Sequence, residues 1–213
     1  MRIAILGSGI LAAALGAGWV EAGHEVVIGG RDPDKSAALA RRIGARPAAP
    51  AMAVAGAEAV LLAVLWPGVA EMLTLAGAAA GSLAGTVLID PTNPVDHGVG
   101  VIRVDDAPSA AARIAGLAPG SRVVKAFHLF PADLWTAGRG LGPDGRPATV
   151  ALCGADEEAI AVTGRLVRDL GGEPASLGSL DRARQLEEAA GFVIGLAFAG
   201  FDPQSAVPKV ERT

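Results

Sequence analysis

Tyrosine is absent from this 213-residue chain, and aromatic residues of all kinds make up only 4% of it. Its helices must therefore pack through small side chains, alanine and the 29 glycines above all. A lone cysteine, Cys153, excludes an internal disulfide and a cysteine-built zinc cage. Inside the apolar run Thr149-Val150-Ala151-Leu152-Cys153 it reads as a buried strand residue rather than a nucleophile. Charged residues are 19% of the chain, the net charge is −4 and no basic block occurs, which argues against a nucleic-acid surface. His24, His97 and His128 lie too far apart to read as a metal site, and GxSxG, HExxH and CxxC are all missing, so no hydrolytic constellation and no metal are expected. Two uncharged stretches approach membrane length. Ile3 to Val20 follows Met1-Arg2 as a secretory leader would, but Gly7, Gly9, Gly16 and Gly18 break it; Met72 to Ile89 is interrupted by Gly77, Gly81, Ser82 and Gly85. Neither is read as a leader or a span, and the cytoplasm is the expected compartment.

What is present is organised around residues 1–30. An apolar run (Ile3-Ala4-Ile5-Leu6) leads into Gly7-Ser8-Gly9-Ile10-Leu11-Ala12, a small-residue helix closed by Gly23, and a second apolar run (Val26-Val27-Ile28). This is the pattern of a βαβ dinucleotide-binding unit. Gly7 permits the tight turn, Gly9 lets the backbone approach a pyrophosphate and Ala12 lets the helix pack closely. The pyrophosphate would sit on the helix N-terminus, where unpaired N–H groups favour an anion. The second strand ends in Gly29-Gly30-Arg31-Asp32-Pro33-Asp34-Lys35. No acid stands at the strand end to hold a ribose 2′-hydroxyl, whereas Arg31 and Lys35 suit a 2′-phosphate, so the expected cofactor is NADP(H). Asp32 and Asp34 keep an ordinary solvated turn open as the alternative.

Further along, the spacing predicts a polar helix over Asp34 to Ile43, a loop over Pro47 to Pro50, a short helix over Ala51 to Gly56, and a doubly buried parallel strand over Ala59 to Leu65. Trp66-Pro67-Gly68 ends that strand. Ligands of doubly wound sheets lie beyond the carboxyl ends of the strands, so Leu65, Trp66 and Pro67 should border the nicotinamide, with Trp66 equally readable as a core aromatic. A helix over Val69 to Ala80 and a strand over Thr86 to Ile89 lead to Asp90-Pro91-Thr92-Asn93-Pro94, where Asp90 or Asn93 either binds a ligand or makes an Asx turn. A helix over Ser109 to Ala115 and a strand over Arg122 to Phe127 follow. Ala137 to Pro147 reads as an exposed mobile loop, and strand, helix and strand then recur over Thr149 to Cys153, Asp156 to Leu170 and Glu173 to Leu177. Residues 1–178 thus form a Rossmann-type doubly wound α/β domain, and 179–213 a small C-terminal helical lobe. Ala189 to Phe201 carries no charge, so this half of the last helix must pack in a core or on a second subunit; a homodimer is expected, with Asp202 to Thr213 a loose tail. Among the histidines, His24 reads as structural and His97 as solvated. His128, at the carboxyl end of a central strand, is the candidate catalytic residue, a neutral donor facing the nicotinamide; a histidine satisfied by backbone is the other reading.

Gly7 to Ala12, Gly29 to Pro33, Leu62-Ala63-Val64-Leu65-Trp66, Val123-Val124-Lys125-Ala126-Phe127-His128 and Arg184-Gln185-Leu186-Glu187 together resemble the NADPH-dependent F420 reductases, also called F420-dependent NADP oxidoreductases, to about Phe201. The resemblance implies a homodimer that passes hydride between NADPH and C5 of a deazaflavin. It implies phosphate contacts at Ser8, Gly9, Ile10 and Leu11, 2′-phosphate contacts at Arg31 and Lys35, nicotinamide contacts at Ala63 and Leu65 beside Val64, and deazaflavin contacts near His128 and Leu129. Trp66, Pro94, His128 and Phe130 would roof the pocket. Two departures stand out: Gly30 replaces a Ser or Thr of the family, and Phe130 and Trp135 are bulkier than its usual residues there. On the same scaffold the substrate is alternatively a small imine or carbonyl metabolite, and a non-catalytic NADP(H) sensor is the reading from another class.

Overall fold

The computed structural model describes residues 1–96, 99–104, 107–136, 140–142 and 144–207. Strand and helix alternate through the first half: β1 (Arg2–Leu6), α1 (Ile10–Glu21), β2 (Glu25–Gly29), α2 (Pro33–Ile43), β3 (Arg46–Ala48), α3 (Pro50–Val54), β4 (Ala59–Leu62), α4 (Val69–Leu75) and β5 (Val87–Asp90). A small hairpin, β6 (Val95–Asp96) and β7 (Val101–Ile102), precedes α5 (Ala110–Leu117) and β8 (Arg122–Lys125). The rest is α6 (Asp133–Thr136), β9 (Thr149–Gly154), α7 (Glu157–Asp169), β10 (Glu173–Ser179) and α8 (Ala183–Phe198). Among the described residues no helix is long and apolar enough to cross a membrane.

Eight strands form one sheet in the order β10-β9-β8-β5-β4-β1-β2-β3. From β3 to β8 all neighbours are parallel. The chain winds outward from β1 in both directions, and at this switch point between β1 and β4 a crevice opens beyond the carboxyl ends of the strands. Helices cover both faces, so the central strands are apolar except at their ends, where Arg2, Asp90, Arg122 and Lys125 stand. Ile3 and Ile5 pack with Leu15, Trp19 and Leu166 on one side, Ala4 and Leu6 with Leu62, Met72 and Ile114 on the other. Cys153 is fully buried, and burial pushes its thiol up to about 11.

Several segments differ from the sequence-based expectation, each for a physical reason. Residues 46–48 form an edge strand where a loop over Pro47 to Pro50 was expected; an edge tolerates proline because its N–H faces away from the sheet. β4 stops at Leu62, and Ala63 to Leu65 leave the sheet to meet the glycine turn. α4 stops at Leu75, because Gly77 takes a left-handed conformation and only a 3-10 turn follows over Ala78–Ala80. β9 and β10 pair parallel with each other through α7, but β9 runs antiparallel to β8, which strand patterning alone does not reveal. Gln204 lies within a 3-10 turn over Pro203–Ala206 inside the expected tail. His97, parts of the Ala137 to Pro147 stretch and residues 208–213 lie outside the described residues. His24 is structural, its Nε2 2.9 Å from Asp169 Oδ2.

A buried charged cluster closes the carboxyl end of β5 and β8. Lys125 Nζ donates to Asp90 Oδ2 at 3.0 Å and to the Thr92 carbonyl, and stands 3.3 Å from Glu187 Oε1 of α8. Asp90 Oδ1 accepts from Thr92 N at 2.8 Å and Thr92 Oγ1 at 2.7 Å, and Glu187 accepts from the first N–H groups of α5, Ala110 at 2.9 Å and Ala111 at 3.2 Å. Asp90, Lys125 and Glu187 are all fully buried. Just beyond, Phe127 turns the chain through a left-handed conformation (φ 60°), with its ring edge-on to Trp19 and Trp135. This bend ends the strand at Lys125 and leaves the ring of His128 buried, with neither nitrogen hydrogen-bonded among the described residues. Burial, and then the charge of Lys125, push the His128 imidazole down to about 3.

Two outcomes follow for stability. Lys125→Met strands two buried carboxylates and is expected to cost about 3–5 kcal/mol in urea denaturation, whereas an exposed control such as Lys35→Met should cost almost nothing. His128 binds no proton in the folded chain until about pH 3, while the unfolded chain takes one up below about 6.5. Stability should therefore be unaffected by this group above pH 6.5 and fall as pH drops through that window. Between pH 7.5 and 5 the parent chain should lose about 2 kcal/mol more than His128→Gln, measured by denaturation at both values.

Candidate functional site

Gly7 and Gly9 serve different purposes. Gly7 has φ 131°, and a Cβ on it would stand 2.1 Å from the Ala63 carbonyl oxygen, so the fold itself demands glycine there. Its N–H donates to the Gly29 carbonyl at 2.7 Å, tying the turn to β2. Gly9 has an ordinary φ of −82°, and a Cβ on it would meet nothing within 4 Å. The protein's own packing does not require glycine here; the space it leaves opens onto the crevice. α1 starts at this residue with no side-chain cap and no acid in its first turn, so its first N–H groups are available to an anion. The residues present thus fit a dinucleotide pyrophosphate.

On one side of this turn lies a hollow of about 650 Å3, lined by Gly7, Ser8, Gly9, Gly30, Arg31, Asp32, Lys35, Ala63, Val64, Leu65 and, from α4, Glu71. Asp32 Oδ1 caps α2, accepting from Asp34 N and Lys35 N at 3.1 Å each, and these bonds, that of Lys35 N first, lower its pKa. Its carboxylate is thereby committed to the helix start. Lys35 Nζ stands 3.4 Å from Asp32 Oδ2, and Arg31 Nη1 donates to Glu71 Oε2 at 2.5 Å. Gly30 is buried, and a Cβ there would stand 2.3 Å from Ser36 Oγ, which bonds the Asp32 carbonyl. In this chain Ser36 fills the space that a larger residue 30 would take.

On the other side lies a cleft of about 640 Å3, lined among others by Gly9, Ile10, Leu11, Ala63, Val64, Leu65, Trp66, Thr92, Asn93, Asp133 and Ile194 of α8. Ile10 and Leu65 are 80% and 79% exposed, the highest values for large apolar side chains among the described residues, and both border this one cleft. Trp66 lines the cleft and also packs on the core, which unites its two sequence readings. Pro94 lies in an adjoining hollow of about 370 Å3 with Trp66 and Arg103. Asp90 makes the Asx-type turn, whereas Asn93 reaches the cleft and donates from Nδ2 to the His128 carbonyl at 2.5 Å.

His128, Leu129 and Phe130 are not in the cleft lining. His128 takes part through its carbonyl, which holds Asn93, and the ring of Phe130 lies edge-on to Trp135. The chain re-enters the cleft at Pro131, Ala132 and Asp133. Sequence reasoning missed these three, Ile194 and Glu71. The charge-free half of α8 pointed to burial but not to which face meets the cleft, and nothing local marks Glu71 as the partner of a residue 40 positions earlier. A separate hollow of about 600 Å3 between α1 and α7, lined by Ala17, Glu21, Arg168 and Asp169, is remote from the glycine turn.

Residues 2–94 match the family model described as NADP oxidoreductase coenzyme F420-dependent. The chain is 31% identical to the F420-dependent NADP reductase of Methanothermobacter marburgensis over 92% of each chain. It is 32% identical to metalloreductase STEAP3 of Rattus norvegicus over 87% of its own length, but spans only 36% of that protein. A crystal structure from Arthrobacter sp. FB24, proposed to be an F420-dependent NADP reductase, superposes with a TM-score of 0.79 at 29% identity, covering 94% of this chain and 96% of the other. With a relative matched at this level from end to end, and with the glycine turn and its crevice in place, the chain belongs to the coenzyme F420-dependent NADP oxidoreductase family.

Proposed function

We propose that this chain transfers a hydride between NADPH and a deazaflavin of the F420 type. The observation that carries this reading is the apolar mouth made by Ile10 and Leu65 beside the uncapped start of α1. Large exposed apolar side chains in one cleft are suited to a flat ring system. The nicotinamide supplies the hydride; the protein's work is to bind, orient and keep out water. The first N–H groups of α1 hold the pyrophosphate, and Arg31 and Lys35 take the 2′-phosphate. Ala63, Val64 and Leu65 would support the nicotinamide, and Trp66, with Asn93 held by the His128 carbonyl, would bound the acceptor, so that the cleft residues orient the two flat rings toward each other. The hydride step itself needs no proton from the residues that line the cleft, which accords with the absence of His128 from its described lining.

One observation favours the second reading, reduction of a small imine or carbonyl: Asp133 is exposed and borders the cleft, where a carboxylate attracts a protonated imine. For the assembly, a homodimer would cover the second half of α8 and the residues just after it, where Phe192 is 52% and Phe201 66% exposed.

Purified chain should oxidise NADPH rapidly on addition of F420, and NADH poorly, followed by cofactor absorbance. Tight NADPH binding without F420-dependent turnover overturns the deazaflavin reading and moves attention to imines, for which Asp133→Asn should abolish activity. Arg31→Ala and Lys35→Ala should each raise KM for NADPH by about tenfold or more, leaving kcat and the KM for NADH nearly unchanged.

A further inference from the structure

Arg31 does not wait as a free cation. Its guanidinium reaches from the end of β2 across the adenosine-side hollow to α4, where Nη1 donates to Glu71 Oε2 at 2.5 Å. On the way Nη2 passes Gly68 at ordinary contact distance, 3.7 Å from where a Cβ would be. The side chains of Arg31 and Glu71 are 53% and 58% exposed, so the pair is weak and exchangeable. A phosphate is the better partner for a guanidinium, since it carries more charge and accepts two parallel N–H bonds. A carboxylate left beside that phosphate repels it.

We propose that Glu71 is a specificity-determining residue of the adenosine subsite: it holds Arg31 across the hollow, and a 2′-phosphate binds by taking Arg31 from it. This rests on the NADP(H) reading above. Glu71 therefore sets the preference for 2′-phosphorylated nucleotides below what Arg31 and Lys35 would give alone. It leaves nucleotides with a 2′-hydroxyl largely unaffected, because these do not compete for the guanidinium.

The test is calorimetric binding of 2′,5′-ADP and of ADP to the parent chain, Glu71→Gln, Glu71→Ala, Arg31→Ala and the double variant Arg31→Ala/Glu71→Gln, with thermal melts as a check on folding. Both Glu71 variants should bind 2′,5′-ADP about three- to fivefold more tightly, near the most that an exposed ion pair is worth. Their affinity for ADP should stay within about twofold, and the gain should vanish in the Arg31→Ala background. Unchanged or weaker binding of 2′,5′-ADP by the Glu71 variants overturns the proposal. A gain that persists without Arg31 also overturns it, since bulk charge would then be the cause. If the parent chain binds 2′,5′-ADP no more tightly than ADP, the NADP(H) reading itself fails and the proposal falls with it.

Discussion

Lys125 and the two carboxylates around it are the interaction on which the rest depends. One cation faces two anions in a place with no access to water, so the balance is made up by fixed dipoles: Thr92 N–H and Oγ1–H on Asp90, and the first N–H groups of α5 on Glu187. A helix N-terminus is a suitable partner for the surplus negative charge. Such a cluster adds little net stability compared with an apolar core, but each member is costly to remove, which fixes its geometry. That geometry joins three parts of the chain: the loop after β5, the end of β8 and the C-terminal helix α8.

The consequences reach the cleft within a few residues. Lys125 holds the Thr92 carbonyl, and the next residue, Asn93, lines the cleft with its amide on the His128 carbonyl. Glu187 sits two helical turns before Ile194, so anchoring α8 at one point also sets the apolar side chain it lends to the cleft. The cleft is thus braced by buried bonds. The hollow on the other side of the glycine turn is lined by Arg31, Lys35, Asp32 and Glu71, which lie near the surface in exchangeable pairs.

How much of this is legible in the sequence depends on how local each determinant is. The glycine turn, the apolar parallel strands and the buried Cys153 are local, and all are read correctly from residues 1–35 and from the apolar runs. What fails is non-local. The direction of β9 against β8 is set by packing, not by pattern. The inward turn of His128 depends on Phe127 accepting a left-handed backbone because two tryptophans clamp its ring. The ends of β4 and β8 come early because the chain must turn toward the crevice, although the apolar runs continue. Glu187 is quoted within the family pattern, yet its bond to the start of α5 joins residues 77 positions apart and leaves no signature.

The central claim is that the cleft brings two rings together for direct hydride transfer, while the one proton that completes the reduced deazaflavin is taken from solvent outside the rate-limiting step. Turnover with NADPH deuterated on the transferred position of the nicotinamide tests it most directly, with the product analysed for label and the rate compared in H2O and D2O. The account predicts that deuterium appears on the ring carbon of the reduced deazaflavin and that the rate in D2O is nearly the same. Loss of label to solvent, or a large solvent isotope effect with label retained, would contradict it.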